Sequence, residues 1–111
     1  MHGTLDALVN FTATGLTQRD QILAGWNMGA GTVVGSDAKF TRTRYTNANG
    51  TVYEFLQHDY TSPALIAGHC FPGSTDPGGA TGQLFSFACT GPNAFDWGDE
   101  AMAFFVAHPK S

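Results

Sequence analysis

The sequence predicts a single-domain α/β protein. Three observations carry this. Residues 40–45 and 51–58 alternate β-branched, aromatic and polar side chains around Asn47-Ala48-Asn49-Gly50, which is a hairpin pattern with turn chemistry between the strands. Two other segments space their apolar residues as helices do. The run Ala64-Leu65-Ile66-Ala67, bounded by Pro63 and Gly68, reads as a short buried strand.

In chain order, His2-Gly3-Thr4 opens the sequence with no entry signal for a helix or strand ahead of it, so earlier elements are expected to precede it. Over 14–26, Leu16, Ile22, Leu23 and Trp26 fall at loosely helical spacing with polar residues between, predicting an amphipathic helix that ends at Gly29 and Gly31. The hairpin follows, and the run at 64–67 then delivers His69. A loop is expected over 70–93, and its Gly-rich tract at 73–82 is loop chemistry rather than low complexity. The closing helix has the clearest signals. Asp96 can cap it, Asp99 and Glu100 suit its first turn, Trp97, Ala101, Phe104 and Phe105 supply an apolar face, and Pro109 stops it.

The chain has 111 residues, of which 42% are hydrophobic and only 13% charged. It is long enough for one domain over 1–111 and too apolar to be disordered. With five Lys and Arg and a net charge of -4, it has no basic stripe for a phosphate backbone or an anionic membrane, so nucleic acid is excluded as an expected partner. No apolar run approaches a bilayer span, and the N-terminus lacks the pattern of a signal peptide. Membrane partners are not expected.

Both cysteines, Cys70 and Cys89, fall in the irregular stretch after His69. Two buried free thiols are one reading. A disulfide is the expectation, because a long loop without apolar periodicity has little else to order it, and such a bond points to an oxidising compartment.

Two local signatures carry chemistry: His2-Gly3-Thr4-x-Asp6-x-x-Val9 and Gly68-His69-Cys70-Phe71-Pro72-Gly73. Taken alone, Asp6 is an ordinary turn residue and His69 an ordinary structural histidine. Each, however, stands just past a short apolar strand. Together they resemble an α/β-hydrolase, in which an Asp after a late strand fixes a His delivered after the next one. More narrowly, the two motifs and the closing Phe95-Asp96-Trp97-Gly98 and Phe104-Phe105-Val106-Ala107-His108-Pro109 resemble the polyhydroxybutyrate depolymerase and feruloyl esterase group. Between Gly29 and Gln57 only the strand pattern is recognisable.

That resemblance implies the C-terminal part of an α/β-hydrolase fold: the last strands of the sheet, a hairpin and two helices. It implies a secreted or periplasmic parent protein, a carboxylic ester or polyester as substrate, and no cofactor. Asp6 and His69 are the expected catalytic acid and base, within hydrogen-bond reach through the imidazole Nδ1. Phe71 is the expected substrate wall. Of the other aromatic residues that could line such a site, Trp26, Phe85, Phe87, Phe95, Trp97 and Phe104, most are expected in the core. His2, His58 and His108 lack zinc-type spacing and are expected to be structural or exposed, so no metal is expected. His58 and Asp59 are strand neighbours and should point to opposite faces.

The nucleophile is missing. A Gly-x-Ser-x-Gly elbow belongs upstream of the acid in this fold, and Ser36, Ser62, Ser74, Ser86 and Ser111 all lack that context. The chain is then either part of a longer esterase or a truncated reading frame starting at Met1, completed by the missing N-terminal part or by a homo-oligomer. Three functions compete: an ester hydrolase whose serine comes from elsewhere, a non-catalytic remnant that binds ligands or assembles, and a minimal esterase using a local serine such as Ser74 or Ser86. The last needs a new oxyanion hole and ranks lowest. Polyhydroxyalkanoate, feruloyl, acetyl-xylan and aromatic polyester substrates all remain open.

Overall fold

The computed structural model describes residues 1–62, 67–73 and 87–109. They form a small mixed α/β domain. Its sheet has four strands, β1 (His2–Gly3), β2 (Thr32–Ser36), β3 (Phe40–Thr46) and β4 (Val52–His58), in the order β1-β4-β3-β2. β1 runs parallel to β4, with His2 opposite Gln57 and Gly3 opposite His58. The other pairings are antiparallel.

The hairpin forms where its turn chemistry predicts. Asn47 Oδ1 accepts the amides of Asn49 and Thr51 at 3.0 and 2.9 Å, a local bond that reverses the chain. Gly50 takes the left-handed conformation, φ 80°, that closes the turn. β3 and β4 then pair continuously from Phe40 with His58 to Thr46 with Val52.

Successive residues of β4 face opposite layers. On one face Phe11 packs against Phe55, with ring centroids 6.3 Å apart, and the Arg19 guanidinium lies 5.7 Å from the same ring. On the other face Arg42, opposite Leu56 in the hairpin, forms an ion pair with Glu100 at 2.5 Å. Glu100 belongs to α2 (Trp97–Ala107), whose N-terminus is capped by Asp96 through the Gly98 and Asp99 amides. The helical segments thus touch opposite faces of the sheet, although neither α1 nor α2 buries a residue there.

The first helical segment departs from its predicted form. A π-helical stretch (Phe11–Leu16), capped by Asn10, precedes α1 (Thr17–Gly25). No residue of α1 is buried and Trp26 is 60% exposed, so the expected amphipathic face is not what docks the segment. Packing runs through Phe11 and through Gly15, where an added Cβ would stand 2.9 Å from His2 Nδ1. β2 was not foreseen. It is an edge strand with a bulge between Val33 and Gly35 and mostly exposed side chains, so it carries no alternating pattern to read.

Residues 64–66 of the expected buried strand lie outside the described residues, as do Ser74, Phe85, Ser86 and Ser111. Ala67 forms an isolated antiparallel bridge with Asp6. Cys70 and Cys89 are joined in a disulfide, with Cα atoms 5.0 Å apart. They pack with Tyr60 and Phe95 into a small core beneath the loop that follows His69.

Candidate active site

Two glycines bring the site together. At Gly3 an added Cβ would fall 2.0 Å from the Gly68 carbonyl oxygen, and at Gly68 one would fall 2.7 Å from the Asp6 amide nitrogen. No side chain fits at either position. The two backbones therefore approach directly, and the Gly68 amide donates to the Leu5 carbonyl at 3.1 Å. The residues just beyond, Asp6 and His69, are set side by side.

Asp6 Oδ2 lies 2.7 Å from His69 Nδ1. The carboxylate is itself fixed from below, since Oδ1 accepts the Leu8 and Val9 amides at 2.8 Å each. Burial pushes the Asp6 carboxyl up, but the Val9 amide, the His69 ring and the Leu8 amide outweigh it and hold the group below its ordinary value. An ionised carboxylate only accepts, so Nδ1 carries the ring proton and donates it. Nε2, across the ring from Asp6, is left as the basic nitrogen. The Asp6 side chain is 5% exposed and that of His69 38%, so the imidazole meets solvent and the carboxylate scarcely does.

The loop bearing His69 is held at several points. Cys70 is tied by the disulfide. The Phe71 amide donates to the Phe87 carbonyl and the Cys89 amide to the Phe71 carbonyl. The Trp97 amide donates to the Pro72 carbonyl, while Asn93 Oδ1 accepts the Gly73 amide. Gly73, at φ 77°, approaches the Phe95 carbonyl so closely that a Cβ would stand 2.3 Å away. Phe71 is 48% exposed beside the histidine, and Phe87 meets the His69 ring edge to face at 6.2 Å. The two aromatic side chains give the base apolar neighbours.

A cavity of about 190 Å³ opens at the dyad, walled by Asp6, His69, Phe71, His2 and His58 with the glycine backbones. A larger one, about 280 Å³, lies between α2 and the sheet among Val52, Leu56, Trp97, Ala101 and Phe104. Its wall also carries Arg42, ion-paired with Glu100, and Glu54, ion-paired with Arg44, whereas the Asp6–His69 pair lies in the smaller one.

Two histidines expected to be merely structural or exposed stand near the dyad. His2 Nε2 donates to the Val9 carbonyl at 2.9 Å and lies 3.7 Å from Asp6 Oδ2, bracing the turn that holds the carboxylate. His58 is 1% exposed and lines the cavity. Its neighbour Asp59 instead binds the Thr4 hydroxyl. His108 ends α2 against Phe104, away from the site. Trp97 and Phe104 line the larger cavity, and Phe95 packs on Tyr60 and Phe40. Ser36 is exposed at the end of β2 and Ser62 is buried. Among the described residues no group of three His, Cys, Asp or Glu side chains is arranged to hold a metal, and no helix is long and apolar enough to cross a membrane. No family model, curated protein or solved structure matches the chain.

Proposed function

We propose that the chain is the C-terminal, acid-and-histidine-bearing part of an α/β-hydrolase that cleaves carboxylic esters. The observation that carries this reading is the 2.7 Å contact between Asp6 Oδ2 and His69 Nδ1. It places an ionised, buried acid behind an exposed imidazole, the arrangement an acyl-transfer base requires. Support also comes from the parallel pairing of β1 with β4, the acid following β1, and from helical segments that touch opposite faces of the sheet.

In this reading His69 Nε2 takes the proton of a serine hydroxyl supplied from elsewhere than this chain's own serines. The serine oxygen attacks the ester carbonyl carbon, and His69 returns the proton to the departing alcohol. Asp6 holds the ring in the productive tautomer and stabilises the imidazolium. Phe71 and Phe87 give the ester an apolar wall. The disulfide supports a secreted or periplasmic parent. The exposed Met102, Phe105 and Val106 of α2, at 62, 65 and 75%, support completion of the fold by a missing N-terminal part or a second copy.

Hydrolysis of a chromogenic short-chain ester tests the reading. The protein with its serine-bearing part in place is expected to turn the ester over, and His69→Ala within it to lower the rate at least about 100-fold. Equal rates in the two proteins would remove His69 from the chemistry, and no turnover by the serine-bearing protein would leave a non-catalytic binding or assembly module.

A further inference from the structure

His58 ends β4 between Phe40 on one side and Gly3 on the other. It is 1% exposed, and neither ring nitrogen has a partner in good hydrogen-bond geometry among the described residues, the Tyr60 backbone standing only close enough to favour the protonated ring. A buried polar group is normally satisfied, and one that protein atoms leave unsatisfied calls for a cause, such as a catalytic role or a bound water. The ring packs against Tyr60, with centroids 5.9 Å apart, and it walls the same cavity as Asp6 and His69.

The ligand's chemistry follows from the ring's. Burial pushes the His58 imidazole down to about 4, against an opposing pull from the nearby Tyr60 backbone, so the ring is neutral near pH 7. A neutral imidazole offers one N–H donor and one lone pair. An anion would satisfy only the donor and a cation only the acceptor. A hydroxyl satisfies either nitrogen, and it fits beside a base whose work is to remove a proton from oxygen.

The geometry points to this cavity as the seat of the acyl acceptor, a small uncharged hydroxylic molecule held by His58 and presented to His69. This rests on the hydrolase reading and extends it. Water and a short primary alcohol share the required chemistry. In either case the acceptor O–H proton passes to His69 Nε2 while its oxygen bonds to the acyl carbon. The bond from that carbon to the serine oxygen breaks, and the serine takes the proton from His69. Water gives the free acid and the regenerated hydroxyl. An alcohol gives a new ester, so the same site supports acyl transfer to alcohols.

Two measurements test this. The first follows p-nitrophenyl acetate, with and without methanol, in the protein with its serine-bearing part in place, quantifying acetic acid and methyl acetate. His58→Phe, which keeps a ring and removes its polar atoms, is expected to lower kcat at least tenfold with KM within twofold and to reduce the methyl acetate share. His58→Asn, which restores a donor and an acceptor, is expected to recover part of both. Unchanged kcat and product ratio in His58→Phe overturns the proposal. The second records water contacts to the His58 ring protons by nuclear Overhauser spectroscopy on the wild-type protein. Long-lived water that methanol displaces supports the site, and a ring without water contacts overturns it. If the serine-bearing protein cleaves no ester, the hydrolase reading falls by itself, and the hydration measurement still decides whether His58 binds a hydroxyl.

Discussion

Gly3 and Gly68 meet backbone to backbone, so closely that a Cβ on Gly3 would stand 2.0 Å from the Gly68 carbonyl oxygen. The contact sets the spacing between the Asp6 turn and the His69 loop. Gly68→Ala would drive a methyl group to within 2.7 Å of the Asp6 amide nitrogen and the Leu5 carbonyl carbon, and backbone cannot yield as a flexible side chain can. The expected cost is about 1–3 kcal/mol by chemical denaturation, with the dyad hydrogen bond lost. A variant as stable as wild type would mean that the two loops do not pack as described.

Acid is expected to weaken the fold through two groups of the same site. His58 is lowered from 6.5 to about 4. Its contribution is therefore fully present above pH 6.5 and is lost as pH falls toward 4, where the unfolded chain takes up a proton that the folded one refuses. The full difference is worth about 3 kcal/mol. Asp6 is also lowered, so its contribution is present above the ordinary carboxylate value and is lost as pH falls through the depressed one. Urea midpoints recorded from pH 7 to pH 4 should fall, and His58→Phe should flatten most of that slope. A wild-type midpoint independent of pH over this window would contradict the burial of His58.

Reduction should loosen the His69 loop. Cys70 and Cys89 are 19 residues apart, and closing a loop of that length restricts the unfolded chain by about 3 kcal/mol. Cys70→Ser with Cys89→Ser is expected to lower stability by roughly that amount. Intact mass before and after reduction and alkylation checks the bond itself. Two thiols that alkylate in the unreduced, unfolded protein would show it does not form.

The apolar outer face of α2 should make the isolated chain associate. Light scattering at low concentration is expected to show an oligomer, and Phe105→Glu to shift it toward monomer. A monodisperse wild-type monomer would mean that these side chains need no cover.

The elements legible in the sequence are those whose causes are local. The Asn47 side chain makes the hairpin turn and the Asp96 side chain caps α2, and both residues announce themselves by type and position. β2 was not legible, because Val33 and Val34 stay exposed and the strand exists through pairing with β3. The π-helical start at Phe11 has no local signal for a similar reason. Gly15 looks like a poor helical residue until the His2 ring is found against it. At the site, strand ends and motif resemblance singled out Asp6 and His69. Period-two alternation indicated that His58 and Asp59 diverge. It could not tell which side was enclosed, since that depends on β1 pairing along β4.

The orientation of His69 by Asp6 is the point on which the functional reading stands, and the imidazole tautomer reports it most directly. In protein labelled with nitrogen-15 at histidine, long-range nitrogen–proton correlation at about pH 9, above the ordinary imidazole range, distinguishes the two ring nitrogens. The wild type is expected to carry its proton on Nδ1 with Nε2 bare, and Asp6→Asn to move the balance toward Nε2–H. A wild-type ring protonated at Nε2, or a tautomer indifferent to Asp6→Asn, would contradict the dyad.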